Sequence, residues 1–197
     1  MKEAISERRS IRKFTEQQIP EPELREVIEC GIKAPSAKNR QPWKFFVVRG
    51  EKKAEMLSAF IKGIEREETG EALLPGSREH TGGARYTVRI LAQAPVAILV
   101  VNPFGRGVFE NLTAEERCYE VCNIQSASAA IQNMLLAATE KGIGSLWVCD
   151  TYFAYRELRE WLGTEGDLIA AVALGYPDET PHARPRKSIE DVVVWME

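Results

Sequence analysis

Apolar residues in this chain fall into two spacings, and the alternation between them outlines a fold. Leu24, Val27, Ile28 and Ile32 recur at helical spacing. Pro22 suits the first turn of such a helix, which must end before Pro35. Met56, Leu57, Phe60, Ile61 and Ile64 make a second helical stripe over residues 52–66. Continuous apolar runs at 96–101 and 168–174 predict buried strands, and shorter runs at 45–48 and 145–149 predict two more. Thr113 and Glu116 fit a capping box that opens a long helix reaching about Lys141. Its middle, Ser126-Ala127-Ser128-Ala129-Ala130, is small-sided enough to approach a neighbour closely, and Gly142 and Gly144 supply the stop. Residues 2–8 read as a short helix, 9–14 as an extended segment and 155–162 as an amphipathic helix. Strands and helices interleave, so the expectation is a sheet covered by helices on both faces.

Two stretches break the pattern. Residues 67–86 hold Gly70, Pro75, Gly76, Gly82 and Gly83 among many charges, with no helical stripe. They read as a mobile excursion or lid. The tail from 178 onward is turn-rich and then closes on Ile189 and Val192-Val193-Val194-Trp195. Such an ending needs a sheet or groove to pack on, and a partner subunit is one candidate.

Composition narrows the classes. The 197 residues suit one domain, 1–197, and are 44% hydrophobic and 28% charged, as in ordinary globular proteins. A net charge of −3 argues against nucleic acid as the partner. No stretch approaches the roughly 20 apolar residues that span a bilayer. The start of the chain lacks a signal-peptide apolar region, so no membrane association and a cytoplasmic location are expected. Cys30, Cys118, Cys122 and Cys149 are scattered. Cys118 and Cys122 share a helix face, but a metal would need two further ligands, and His80 and His182 lie in loop-like regions. Buried free thiols in a reducing compartment, and no metal site, are the expectation.

The candidate chemistry lies in loops. Arg8, Arg9, Ser10 and Arg12 fall within five residues, and in an extended segment Arg8, Ser10 and Arg12 face one way. A solvated basic surface and a bidentate anion site both fit that motif. Ser36, Lys38, Asn39, Arg40 and Gln41 sit in a loop stiffened by Pro35 and Pro42. It reads either as a strand-capping turn or as a donor-lined binding loop. Arg184-Pro185-Arg186-Lys187 is a further rigid basic segment. Gly142-Ile143-Gly144-Ser145-Leu146-Trp147-Val148-Cys149-Asp150 reads as a helix stop running into a strand, with Trp147 as core. GxSxG, GxGxxG, Walker and HExxH motifs do not occur. Basic and polar loops without catalytic side chains point to a cofactor that carries its own chemistry.

The ordered set RRSIRKF, APSAKNRQPWKFFVV, SAAIQNMLLAATEKGIGSLWV, ALGYPDETP and RPRKSIEDVVVW resembles the FMN-dependent nitroreductase family over nearly the whole chain. The resemblance implies an α+β fold with a central, mostly antiparallel sheet flanked by helices. It implies an intertwined homodimer whose C-terminal extension, 192–195, wraps the partner. FMN would lie at the dimer interface. Arg8, Arg9, Ser10 and Arg12 would take its phosphate, ribityl chain and pyrimidine edge, with Arg184 and Arg186 completing the phosphate end. Pro35, Ser36, Ala37 and Asn39 would reach the flavin from the other subunit, and the backbone of Trp147, Val148 and Cys149 would pass its ring. No side chain would be catalytic. The expected reaction is ping-pong hydride transfer from NADH or NADPH through FMN to a small-molecule acceptor, a nitroaromatic or a quinone. The order Cys149 then Asp150 departs from an acidic position common in the family. Other flavoenzymes of this fold, for ene reduction, dehalogenation or flavin reduction, and a non-enzymatic FMN-binding protein are the rival readings.

Overall fold

The long apolar runs become the middle of a sheet. In the computed structural model, which describes residues 2–197, the strands are β1 (Lys44–Val48), β2 (Val96–Asn102), β3 (Gly144–Val148) and β4 (Asp167–Gly175). Their order is β1-β2-β4-β3, and every pairing is antiparallel. The helices are α1 (Lys2–Glu7), α2 (Glu21–Ile32), α3 (Glu51–Thr69), α4 (Thr81–Gln93), α5 (Ala114–Glu140), α6 (Tyr155–Leu162) and α7 (Ile189–Val192).

Every residue of β2 and β4 is buried, which is why neither strand alternates in sequence. Their side chains feed two cores. Ala97, Leu99 and Val101 pack on one face with Phe60, Ile64, Leu91 and Leu158. Val96, Ile98 and Val100 pack on the other with Leu24, Val27, Ile131 and Met134. Helices α3, α4 and α6 therefore cover the first face, and α2 and α5 the second. Ala127 and Ala130 of the small-sided stretch are fully buried, and α5 packs along α2 there. The Thr113 hydroxyl accepts from the Glu116 N–H at 3.3 Å, and the Glu116 carboxylate accepts from the Thr113 N–H at 2.9 Å, closing the expected capping box. Among the described residues, no helix is long and apolar enough to cross a membrane.

The 67–86 stretch is not free of helix. Its first residues end α3, Pro75–His80 make a 3-10 turn, and Thr81 opens α4. A buried ionic knot holds it. Arg66 donates to Glu67 at 2.6 Å and to Glu157 of α6 at 2.7 Å. The fully buried Glu67 carboxylate also accepts from the backbone N–H groups of Leu73 (2.9 Å) and Leu74 (3.0 Å). Burial alone would raise the Glu67 pKa, but the Leu74 N–H, Arg66 and the Leu73 N–H together hold it below the usual carboxylate value. The glycines at 82 and 83 disguise a helix whose stability is tertiary.

Candidate anion-binding site

Residues 8–15 leave α1 as a strap across the sheet edge. Ser10 bridges Ser145 of β3, and the Ile11 N–H donates to the Ser145 carbonyl at 2.9 Å. Further on, Phe14 bridges Pro177, the Thr15 N–H donates to the Tyr176 carbonyl, and the Asp178 N–H donates to the Lys13 carbonyl, both at 2.9 Å. The Glu179 carboxylate accepts from the backbone N–H groups of Arg12 (2.5 Å) and Lys13 (3.2 Å). The approach is close enough to require glycine beneath it. A Cβ on Gly144 would lie 2.9 Å from Ile11, and one on Gly175 would lie 2.8 Å from Phe14.

This pairing joins two basic motifs that stand about 170 positions apart in the chain. Arg8, Arg9, Ser10, Arg12, His182, Arg184 and Arg186 line one groove of about 380 Å³. Where the guanidiniums bond within the chain, they meet backbone carbonyls. Arg9 donates to Ser6 at 2.5 Å, Arg12 to Ser10 at 3.2 Å and Arg186 to Arg184 at 3.1 Å. Among the described residues, none of the five arginines is paired with a carboxylate. Strict alternation would have turned Arg9 away from Arg8, Ser10 and Arg12. Arg9 also lines the groove, because it stands at the turn out of α1. His182, in a loop as expected, belongs to the same wall.

The strand end lies along the same edge. β3 is the last strand of the sheet, and among the described residues only the single bridge at Ser145 covers its outer side. Since Ser145 turns its carbonyl outward, alternation turns the N–H and C=O of Trp147 outward as well. The Trp147 side chain packs on the α5 core, as expected, but its Nε1 is buried without a partner among the described residues. Val148 is buried in the other core. The free cysteines are not buried as expected: Cys118 and Cys149 are exposed and Cys30 and Cys122 half-buried. Cys149 is exposed because it stands at the corner that ends β3, where its carbonyl accepts from the Tyr152 N–H at 3.3 Å. Partial burial and then the Asp150 charge raise the Cys149 thiol above its ordinary value, so it stays protonated at neutral pH.

The 35–41 loop stands elsewhere. Neither Pro35, Ser36, Ala37 nor Asn39 lines the arginine groove of the same chain. The loop packs on α5: the Ala37 N–H donates to the buried Ser126 hydroxyl at 3.2 Å, which itself donates to the Cys122 carbonyl at 2.7 Å. The Ser36 hydroxyl accepts from the Gln41 N–H at 3.0 Å. Lys38, Asn39 and Gln41 have φ of 53°, 52° and 50°, each a left-handed conformation that costs on the order of 1 kcal/mol outside glycine. A turn that served only to cap a strand would use glycine there. Arg40 lies over Phe104 and Tyr119, 5.3 and 5.5 Å from the ring centroids.

Fold and groove together define an α+β protein with a cluster of five arginines at one edge of its sheet. The model of the nitroreductase family matches residues 5–176, and the chain belongs to that family. Among its relatives, Bacillus subtilis YfhC, described as an NAD(P)H nitroreductase, is 29% identical over 197 residues, covering 97% of this chain and 91% of its own. An iodotyrosine deiodinase from Thermotoga neapolitana is 30% identical over 193 residues, covering 92% and 91%. A Desulfovibrio desulfuricans protein described as a nitroreductase, solved in complex with FMN, matches at 27% identity and a TM-score of 0.65, covering 99% of this chain and 96% of that one.

Proposed function

We propose that this protein is an NAD(P)H-dependent FMN oxidoreductase that works as a homodimer. The observation that carries the reading is the groove of five guanidiniums with no carboxylate among its described lining residues, on the same sheet edge as the outward amide of Trp147. A flavin mononucleotide matches both features. Its phosphate carries roughly −1.5 to −2 charges and takes bidentate donors, and its ring edge takes backbone donors. Arg8, Arg9, Arg12, Arg184 and Arg186 would hold the phosphate end and the pyrimidine edge, with Ser10 along the ribityl chain. The backbone of Trp147, Val148 and Cys149 would meet the ring.

The 35–41 loop of a second copy would complete the site with Pro35, Ser36, Ala37 and Asn39. The loop's backbone strain and its absence from the groove of its own chain support a role across an interface. The tail supports the same arrangement. Val194, Trp195 and Met196 are 83, 80 and 93% exposed, an apolar ending that the described residues of its own chain leave open.

When bound, FMN supplies the redox chemistry, a ping-pong exchange of hydride from NAD(P)H to an oxidised small molecule such as a nitroaromatic or a quinone. The residues of the chain do the rest. They bind and orient, and a protonated Cys149 offers no competing nucleophile. Arginines near the pyrimidine edge would favour negative charge there. Purified protein should be yellow and release flavin on denaturation. A colourless preparation that takes up no added FMN contradicts the proposal.

The likeness to a deiodinase supports a second reading, reductive dehalogenation on the same cofactor. An anaerobic panel of nitroaromatic, quinone and haloaromatic acceptors, with NADH and NADPH, separates the two.

A further inference from the structure

The corner that ends β3 is held from outside its own strand. Asp150 opens the 3-10 turn Asp150–Ala154, and its carboxylate accepts from the Thr87 hydroxyl at 2.5 Å. Thr87 stands 63 positions earlier, on α4, within the long connection from β1 to β2. It is 8% exposed, and its helix neighbours Ala84 and Leu91 lie in the core. α4 is fixed in turn to α3, where Arg85 donates to Glu68 at 2.9 and 2.5 Å. On the other side of the corner, the Cys149 carbonyl accepts from the Tyr152 N–H. The backbone at 147–149 is thus gripped by its own 3-10 turn and by a helix from a different part of the chain. Neither Thr87 nor Asp150 lines the arginine groove.

We infer that Thr87 is a positioning residue for the open edge of β3: its hydroxyl, acting through Asp150, sets where the Trp147–Cys149 backbone stands relative to the arginine groove. The inference rests on the FMN reading above and adds a residue that touches neither cofactor nor substrate. The physical case is one of placement. A hydroxyl held to a carboxylate is a strong tether, and a site that must meet a phosphate and a ring at once tolerates little drift between its halves. Valine in place of Thr87 keeps the shape and removes the donor. Serine keeps the donor.

The test uses Thr87→Val and Thr87→Ser. Hydrogen exchange of the backbone amides at 147–151 is measured without FMN, and FMN affinity is then measured by fluorescence titration. Thr87→Val is expected to speed exchange at the corner by roughly tenfold and to weaken FMN binding by roughly threefold to tenfold, with Thr87→Ser close to the wild type. Unchanged corner exchange in Thr87→Val overturns the inference. So does faster exchange with unchanged FMN affinity, because the tie would then be structural only. If Thr87→Val does not fold, Asp150→Ala, which removes the acceptor, is scored by the same two criteria. A wild type that takes up no FMN overturns the functional reading instead. That failure is told apart because the exchange comparison is made without flavin.

Discussion

Two regions of this molecule depend on arginine, and they treat it in opposite ways. In the knot under α6, Arg66 is 11% exposed and reaches two carboxylates, which are 0% and 9% exposed. In the edge groove, five arginines converge and, among the described residues, no carboxylate answers their guanidiniums. Paired and buried, the guanidinium fixes the fold: it ties α3 to α6 and holds the turn at Leu73 and Leu74 through Glu67. Unpaired and gathered, guanidiniums repel one another, and a chain keeps such a cluster when an anion from outside completes it. The partner, rather than the residue type, separates architecture from site.

The comparison is broken most severely at the knot. Arg66→Met should destabilise the protein by about 3–5 kcal/mol, because it strands two buried carboxylates. Urea unfolding measures the loss, and a loss below about 1 kcal/mol would show that the knot is ornamental. The groove should respond the other way. Arg12→Ala and Arg186→Ala should each weaken FMN binding by roughly tenfold to a hundredfold. The midpoint of thermal unfolding without FMN should stay where it is or rise slightly. A fall in stability with unchanged FMN affinity would reverse the two assignments.

The 35–41 loop, packed on α5, extends the comparison to the dimer. Ser126→Ala removes the acceptor that the Ala37 N–H uses. It should cost FMN affinity by roughly threefold to tenfold, and the effect should vanish in any preparation shown by sedimentation to be monomeric. pH separates the regions next. Glu67 titrates below the usual carboxylate value when folded, so its contribution is present above that range and is lost as pH falls through the folded value. Thermal midpoints of wild type and Arg66→Met should therefore converge as pH drops below the carboxylate range. The smallest effect belongs to the exposed pairs on α2. Glu21→Gln breaks contacts to Arg25 and Arg49 that are open to solvent, and it should leave the thermal midpoint unchanged within error.

Much of this was written in the sequence where physics is local. The Thr113–Glu116 box, the two-faced strands at the centre of the sheet and the amphipathic α6 depend on neighbours a few residues away, so their patterns are visible. α4 was not visible, because Gly82 and Gly83 weaken its opening turn. Its hold comes from Arg85 on Glu68 and Thr87 on Asp150, contacts that no window of sequence contains. The site divides in the same way. The arginine motifs could be read singly. Their meeting depends on the strap from Ser10 to Thr15 docking beside Pro177, and the place of His182 in the groove follows only from that docking. Asp150 stood out in the sequence as an odd acidic position, and its partner came from another part of the chain.

The central claim is that the arginine groove exists for a phosphate on a flavin. Titration of the flavin-free protein with FMN and with riboflavin, which differ only by that phosphate, tests it directly. FMN should bind, and riboflavin should bind at least roughly a hundredfold more weakly, with most of the gap lost in Arg12→Ala and Arg186→Ala. Equal affinity for the two flavins, or no affinity for either, would contradict it.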